Sequence, residues 1–318
     1  MRLCTFIDIE ELIMDIREQL INACGADYVS FDEPMSKHTT FRVGGNADYY
    51  IRVSSLDQFV NGIRLLKDND ISITILGNGS NVLVSDKGIR GAVFELGKDF
   101  SDVSINRLED NIEVKAEAGA LLSNVGATLL KEGIKGFHWA SGIPGSVGGA
   151  VYMNAGAYGG EIKDILKEAT VLTKDLNVEV RDLDSLDLSY RHSALMSEEA
   201  YVLSATFVLE EGDSKEIKAL TDELNKKRRD KQPLEYPSAG STFKRPEGYF
   251  AGKLIEDSGL KGFRVGGASV SSKHCGFVVN DQNATAADIY NLTEEVIKIV
   301  KDKFGVTLER EIRLIGEF

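Results

Sequence analysis

The chain has 318 residues, of which 42% are hydrophobic and 27% charged, and a formal net charge of −13. That length suffices for two or three packed domains and the composition is not that of a disordered chain. The acidic balance argues against general nucleic-acid binding, which draws most of its affinity from basic groups facing phosphates, so any bound anion must be held by local arginines, lysines and backbone amides.

The N-terminal run MRLCTFIDIEELIMDI turns acidic after one arginine and lacks a small-residue cleavage site, and no apolar run reaches membrane-spanning length. A soluble cytoplasmic protein with no membrane contact is expected. Cys4, Cys24 and Cys275 show neither CxxC nor Cys/His ligand spacing, which predicts reduced structural thiols and no metal site. Ile9, Leu12, Ile13, Ile16 and Leu20 recur at helical spacing before Gly25, which predicts an amphipathic packing helix. In HTTFRVGGNADYYIRV, residues 38–53, a turn at Gly44 and Gly45 leads into an alternating strand. Arg42 beside that turn either meets an anion or simply faces solvent.

Ser55 is placed to cap a helix carrying Leu56, Phe59, Val60, Ile63 and Leu66, and the strand ISITILG follows. Strand, helix, strand predicts a crossover with a parallel pair. Gly77, Asn78, Gly79, Ser80 and Asn81 come next, and they open onto VLVSD, which is strand-like. A Rossmann fingerprint needs its glycine turn to open a helix, so a nicotinamide site of that kind is excluded. What remains is a turn whose amides suit an anion nest. GAVFEL, DVSINRL and NIEVKAEA, from Gly91 onward, are expected to be antiparallel strands, and Leu121 to Glu132 a helix closed by Gly133.

Residues 136–162, GFHWASGIPGSVGGAVYMNAGAYGGEI, carry Gly142, Gly145, Gly148, Gly149, Gly156, Gly159 and Gly160, too dense for regular structure. Their backbone must closely approach either another piece of protein or a pyrophosphate or flat ring. Two such loops in one chain favour a dinucleotide held outside a Rossmann fold. Alternating segments return in EATVLTK, VEVRDL and AYVLSATFVLEE, the first two hinged at Asp175, Leu176 and Asn177. Between them LSYRHSAL offers Tyr190 and Arg191, an aromatic face beside a planar fork suited to carboxylate or phosphate. A charged helix over residues 214–231 marks a domain boundary. Beyond it lies SAGSTFKRP, with Ser241 on a turn that follows a basic segment; no GxSxG elbow is present.

HTTFRVGG, GNGSNVLV, GIPGSVGGAVYMNAGAYG, SYRHS, GSTFKRP, AGKLIE, KHCGFVVN and LEREIRLIG occur in the order found in UDP-N-acetylenolpyruvoylglucosamine reductases, and the chain resembles that family over nearly its whole length. The resemblance implies an α+β fold: a two-lobed, vanillyl-alcohol-oxidase-like (PCMH-type) FAD-binding domain with a third α/β substrate-binding domain. The expected bounds are residues 1–88 for the first lobe, with a strand within 312–318 returning to it, 89–212 for the second lobe and 213–311 for the third domain. It implies bound FAD, NADPH as co-substrate and a nucleotide-sugar substrate, in a monomer. Arg42, Gly77, Asn78, Gly79, Ser80, Asn81, Ser141, Gly142, Pro144, Gly145, Gly148 and Gly149 would cradle FAD. Ser241 aligns with the family's proton donor, and Arg191 and Glu311 with its catalytic arginine and glutamate. Tyr190, Arg245, Lys253 and Asn280 would bind substrate, although the position of Arg245 is often asparagine in the family. Glu309 lies two residues before Glu311 on the same face of a period-two pattern, so only the motif selects Glu311. His192 and His274 read as structural histidines. No tyrosine-bearing insertion separates Arg191 from Ser241, which places the chain with the shorter subgroup. An oxidase on the same FAD fold would not need Ser241, Arg191 and Glu311 together, and a non-catalytic nucleotide-sugar binder would need no flavin.

Overall fold

The computed structural model describes residues 9–318, with side chains from residue 16 onward. Cys4 and the side chains of Ile9, Leu12 and Ile13 lie outside the described residues. The first helix, α1 (Ile9–Cys24), ends at Gly25, whose φ of 87° suits glycine, and Ile16 and Leu20 on its inner face are buried. Cys24 is a free, buried thiol whose pKa burial pushes up to about 11.

The first sheet combines β1 (Val29–Pro34), β2 (Asn46–Arg52), β3 (Ile73–Leu76) and, after the short strand β4 (Val82–Val84), β5 (Ile89–Glu95), in the order β1-β2-β5-β3. Between β2 and β3 runs α2 (Leu56–Asp68), capped by the Ser55 side chain, which accepts from the Gln58 amide at 3.2 Å. The expected parallel pair is present in altered form: β2 and β3 each pair parallel with β5, which lies between them. GAVFEL is therefore a parallel strand, not an antiparallel one. Its burial is nearly continuous, Ala92, Val93 and Phe94 being inaccessible, as a strand covered on both faces requires. The same pairing carries the first lobe's sheet past the expected limit at residue 88.

A six-stranded antiparallel sheet follows, from β6 (Val103–Arg107) and β7 (Ile112–Glu117), then, beyond α3 (Leu122–Lys131), β8 (Ile134–Lys135), α4 (Val147–Tyr152) and a small hairpin of β9 (Gly156–Ala157) and β10 (Gly160–Glu161), β11 (Leu166–Leu172), β12 (Val178–Asp182) and, after the short α5 (Leu183–Leu186), β13 (Tyr201–Glu211). Its order is β12-β11-β13-β7-β6, with β8 pairing to β13. Phe137, Phe207, Val114 and Leu122 fill the core that this sheet shares with α2 and the first sheet.

The exposed helix α6 (Ser214–Lys231), capped by Asp213, leads into the third unit: α7 (Ala251–Asp257), the three strands β14 (Arg264–Val265), β15 (Ala268–Val270) and β16 (Val278–Asn280), α8 (Ala286–Phe304) and β17 (Arg313–Ile315). Its core also takes Phe41, Val43 and Leu83 from the first lobe. Two devices fix this junction. Asp86 accepts from the Ala286 and Ala287 amides at 2.8 Å each, capping α8 from across the junction, and β17 pairs parallel with β4. The expected return of a C-terminal strand to the first lobe is thus present as a ladder from Arg313 to Ile315. Among the described residues no helix is long and apolar enough to cross a membrane, and no cluster of side chains could hold a metal ion.

Candidate active site

The two glycine-rich loops pack against each other. A Cβ on Gly77 would stand 2.2 Å from the Ser146 hydroxyl, one on Gly79 1.9 Å from the His38 carbonyl, and one on Gly148 2.9 Å from the Ala118 methyl. These positions are therefore glycine because protein backbones cross there, which was one of the two readings open from sequence. The Asn78 amide tightens the crossing by donating to the Pro144 carbonyl at 2.8 Å. Close packing and an anion site are compatible in this case: among the described residues the backbone N–H groups of Asn78, Gly79 and Ser80 meet no protein acceptor. Gly145 and Gly149 have room for a Cβ, with no other atom closer than 3.6 Å.

A cleft of about 420 Å³ opens beside this crossing, lined among others by Thr40, Arg42, Gly142, Pro144, Tyr236, Ser238 and Gly240. Arg42 is exposed there, holds a φ of 57°, and its guanidinium has no protein partner among the described residues. A non-glycine residue held at positive φ stores of the order of 1–3 kcal/mol of strain, so the surroundings fix this arginine at the cleft edge. Arg228 also lines the cleft. It is 7% exposed, donates to the Gly142 carbonyl, and leaves its Nε without a partner. The donor set suits a dinucleotide pyrophosphate: free amides, one free guanidinium and one buried guanidinium that is partly free. Residues 228 and 42 were not equally visible in sequence. Arg228 looks like one of several solvated charges, yet Ile217, Thr221, Leu224 and Arg228 fall on one helical stripe, the signal that could have found it. Ser141 and Asn81 of the expected cradle are engaged structurally, donating to the Phe137 and Glu311 carbonyls.

An ion pair adjoins the Ser238–Pro246 stretch, tied to it where the Glu311 amide donates to the Thr242 carbonyl. Arg191 Nε lies 2.7 Å from Glu311 Oε1, and Arg191 Nη2 donates to the Gly156 carbonyl at 3.2 Å. These side chains are 18% and 13% exposed, 120 positions apart in the chain. Arg191 has φ 53° and occupies the tip of a tight hairpin in which Ser189 and His192 exchange backbone hydrogen bonds at 3.2 and 3.1 Å. Burial pushes the Glu311 pKa up, against the opposing pull of Arg191 and Lys244. Glu309 is different: its side chain is 71% exposed and pairs with Lys244. The geometry thus separates two glutamates that the motif alone had distinguished.

Ser241 is exposed and links the two places along the chain. Ser238 and Gly240 line the cleft, while Thr242, its other neighbour, accepts the Glu311 amide at 2.8 Å. Gly240 has φ 72° and open space around it, so the hydroxyl of Ser241 follows a permissive turn. Of the residues expected to bind substrate, Tyr190 and Arg245 meet, the Tyr190 hydroxyl accepting the Arg245 amide at 3.0 Å, and the Arg245 guanidinium lies 4.1 Å over the Phe250 ring. Lys253 pairs with Asp257 one turn along α7 at 2.7 Å. The Asn280 side chain donates to the Phe41 carbonyl and accepts the Ala284 amide. His274 accepts the Gly276 amide, and burial lowers its pKa, as suits a structural histidine. A larger groove of about 550 Å³ beside Ser54, Lys98 and Glu117 contains none of the motif residues.

Comparison with known proteins gives two family matches along the chain. Residues 47–179 match the FAD binding domain family, and residues 232–315 match the C-terminal domain family of UDP-N-acetylenolpyruvoylglucosamine reductase. The UDP-N-acetylenolpyruvoylglucosamine reductase of Lachnoclostridium phytofermentans is 50% identical over 302 residues, 95% of this chain and 97% of that one. The chain belongs to the UDP-N-acetylenolpyruvoylglucosamine reductase family. The reductase of Agathobacter rectalis is 54% identical over 300 residues, covering 90% of this chain and 94% of its own. The crystal structure of the Thermus caldophilus reductase superposes with a TM-score of 0.75 at 32% identity, covering 91% of this chain and 98% of that one. As a member of this reductase family the chain is an FAD-dependent oxidoreductase, α+β in class, with an FAD-binding domain joined to a third domain.

Proposed function

We infer that this chain reduces the enolpyruvyl ether of UDP-N-acetylglucosamine to the lactyl ether of UDP-N-acetylmuramate, with NADPH as electron donor, in peptidoglycan precursor synthesis. The observation that carries the reading is the half-buried Arg191–Glu311 pair at 2.7 Å, joined by the Glu311 amide to Thr242, the residue after Ser241. FAD, when bound, supplies hydride transfer from the nicotinamide to the terminal carbon of the enolpyruvyl group. Arg42, Arg228 and the free amides of Asn78, Gly79 and Ser80 would hold it.

The remaining steps fall to the protein. Hydride addition places negative charge on the substrate carboxylate as an enolate, and Arg191 presents a fixed cation there without reorganisation. Glu311, whose burial favours the protonated form, donates a further hydrogen bond to the developing charge. Ser241 delivers the proton to the carbon bearing the ether oxygen, which completes the addition of one hydride and one proton across the double bond. A serine hydroxyl is a weak acid, and the transfer runs because the enolate is a strong base. Arg245, with Tyr190 locking its backbone and Phe250 behind its guanidinium, offers a charged edge to the nucleotide diphosphate, and Lys253 adds a second cation. We read the protein as a cytoplasmic monomer, which sedimentation of the purified protein checks directly.

An anaerobic visible spectrum tests the function. The flavin bands are expected to bleach with NADPH and to return when UDP-N-acetylglucosamine enolpyruvate is added without oxygen. Bands that return only when air is admitted would make the protein an oxidase on the same fold.

A further inference from the structure

Asn154 lies in the glycine-dense segment and is inaccessible to solvent, yet neither the cofactor cradle nor the reaction uses it. It follows α4 with φ 41°, the left-handed conformation in which asparagine often ends a helix. A helix cap needs only that backbone. The side chain does more. Its Nδ2 donates to the Ser189 carbonyl at 2.9 Å and to Glu161 Oε2 at 2.6 Å, and its Oδ1 accepts the Lys163 amide at 3.0 Å. The flipped amide would set Oδ1 against a carbonyl and a carboxylate, so the orientation is determined by its partners.

Ser189 opens the hairpin that carries Arg191. On its far side the Ser193 hydroxyl, also buried, donates to the Tyr152 carbonyl at 2.7 Å, and Arg191 itself reaches the Gly156 carbonyl. The segment 152–163 therefore grips the hairpin at both legs and at the tip. Its glycines suit this role, since a Cβ on Gly160 would enter the Trp139 ring at 2.7 Å and one on Gly156 would meet the Gly160 carbonyl at 2.9 Å. We propose that Asn154 is a positioning residue which, through the Ser189 carbonyl, holds the hairpin tip so that the Arg191 guanidinium stays against Glu311. This rests on the reading of Arg191 and Glu311 given above. Displacement of a reacting group by about 1 Å can cost on the order of 10²-fold in rate, so a single buried amide is enough to matter.

Asn154→Gly tests the idea because it keeps the backbone free to hold positive φ while removing the amide. The flavin spectrum and the rate of flavin reduction by NADPH are expected to stay within about twofold of the parent. Anaerobic reoxidation by substrate should slow by roughly tenfold or more. The alkaline limb of the reoxidation rate should move to higher pH, because of the charged groups facing Glu311, Arg191 and Lys244, the nearer one has been loosened. Unchanged reoxidation with an unmoved limb would make Asn154 a helix cap only. Should the glycine variant not fold, Asn154→Asp decides: it keeps the acceptor for Lys163 but turns repulsion on Ser189 and Glu161, and normal reoxidation would overturn the proposal. Arg191→Ala is measured alongside. Normal reoxidation in that variant removes the underlying mechanism, whereas slow reoxidation there with normal Asn154 variants removes this inference alone.

Discussion

Glu309 and Glu311 stand two residues apart in the segment leading into β17, each paired with a cation, and they are chemically unlike. Lys244 meets Glu309 in water, where the glutamate side chain is 71% exposed, while Arg191 meets Glu311 at 13% exposure. An exposed pair gains little because solvent and salt screen it and two long side chains must be ordered. A buried carboxyl is held toward its neutral form by lost hydration, and its partner must come from elsewhere in the fold. Chemistry therefore follows from what surrounds each glutamate, not from the spacing between them.

Four substitutions sharpen that contrast, the largest effect first. Arg191→Ala should lower turnover by about 10²-fold or more, as loss of an oxyanion donor does, and stopped-flow reoxidation locates the loss after flavin reduction. Arg42→Ala should weaken FAD retention by about tenfold, the scale of one charge-assisted contact, read by fluorescence titration of the flavin. Glu311→Gln keeps a neutral donor in place and should cost roughly tenfold in turnover, about the value of one hydrogen bond. It should also change the pH dependence of stability. The native pKa of Glu311 is raised, so its stabilising contribution is complete below the ordinary carboxylate range and is lost as pH rises through the native value. Thermal melts across that range should show a loss in the parent that the Gln variant lacks. Glu309→Ala should be smallest, within about 1 kcal/mol of stability and without a shift in the pH profile. A large effect there would erase the distinction between the two glutamates.

Much of this was legible in the letters where the governing physics is local. Ser55 announces its helix because a hydroxyl before an apolar stripe can accept from Gln58, and VLVSD announces a strand by its β-branched run. GAVFEL misled because a strand buried on both faces does not alternate, and its parallel partners lie on either side of a helix. The glycine loops were legible as close approaches but not as approaches to each other, since Gly77 and Ser146 are brought together only by the fold. Asn154 gave no signal at all. An asparagine among glycines reads as a turn residue, and nothing nearby in sequence shows that its amide will be enclosed on all sides. The tie from Asn280 to Phe41 was equally invisible, since the two are 239 positions apart.

The strand Arg313–Ile315 pairs with Val82–Val84, and the Asn81 side chain reaches the Glu311 carbonyl across 230 positions of chain. A ribosome must therefore deliver the entire third domain before the first lobe can acquire its last strand. Contacts of such separation are slow to form, because a long loop must close before they contribute. Throughout that interval the Gly77–Asn81 loop lacks the segment against which Asn81 is braced. Chain order thus puts the brace of Asn81, through Glu311 and Arg313, among the last contacts of that loop to become available.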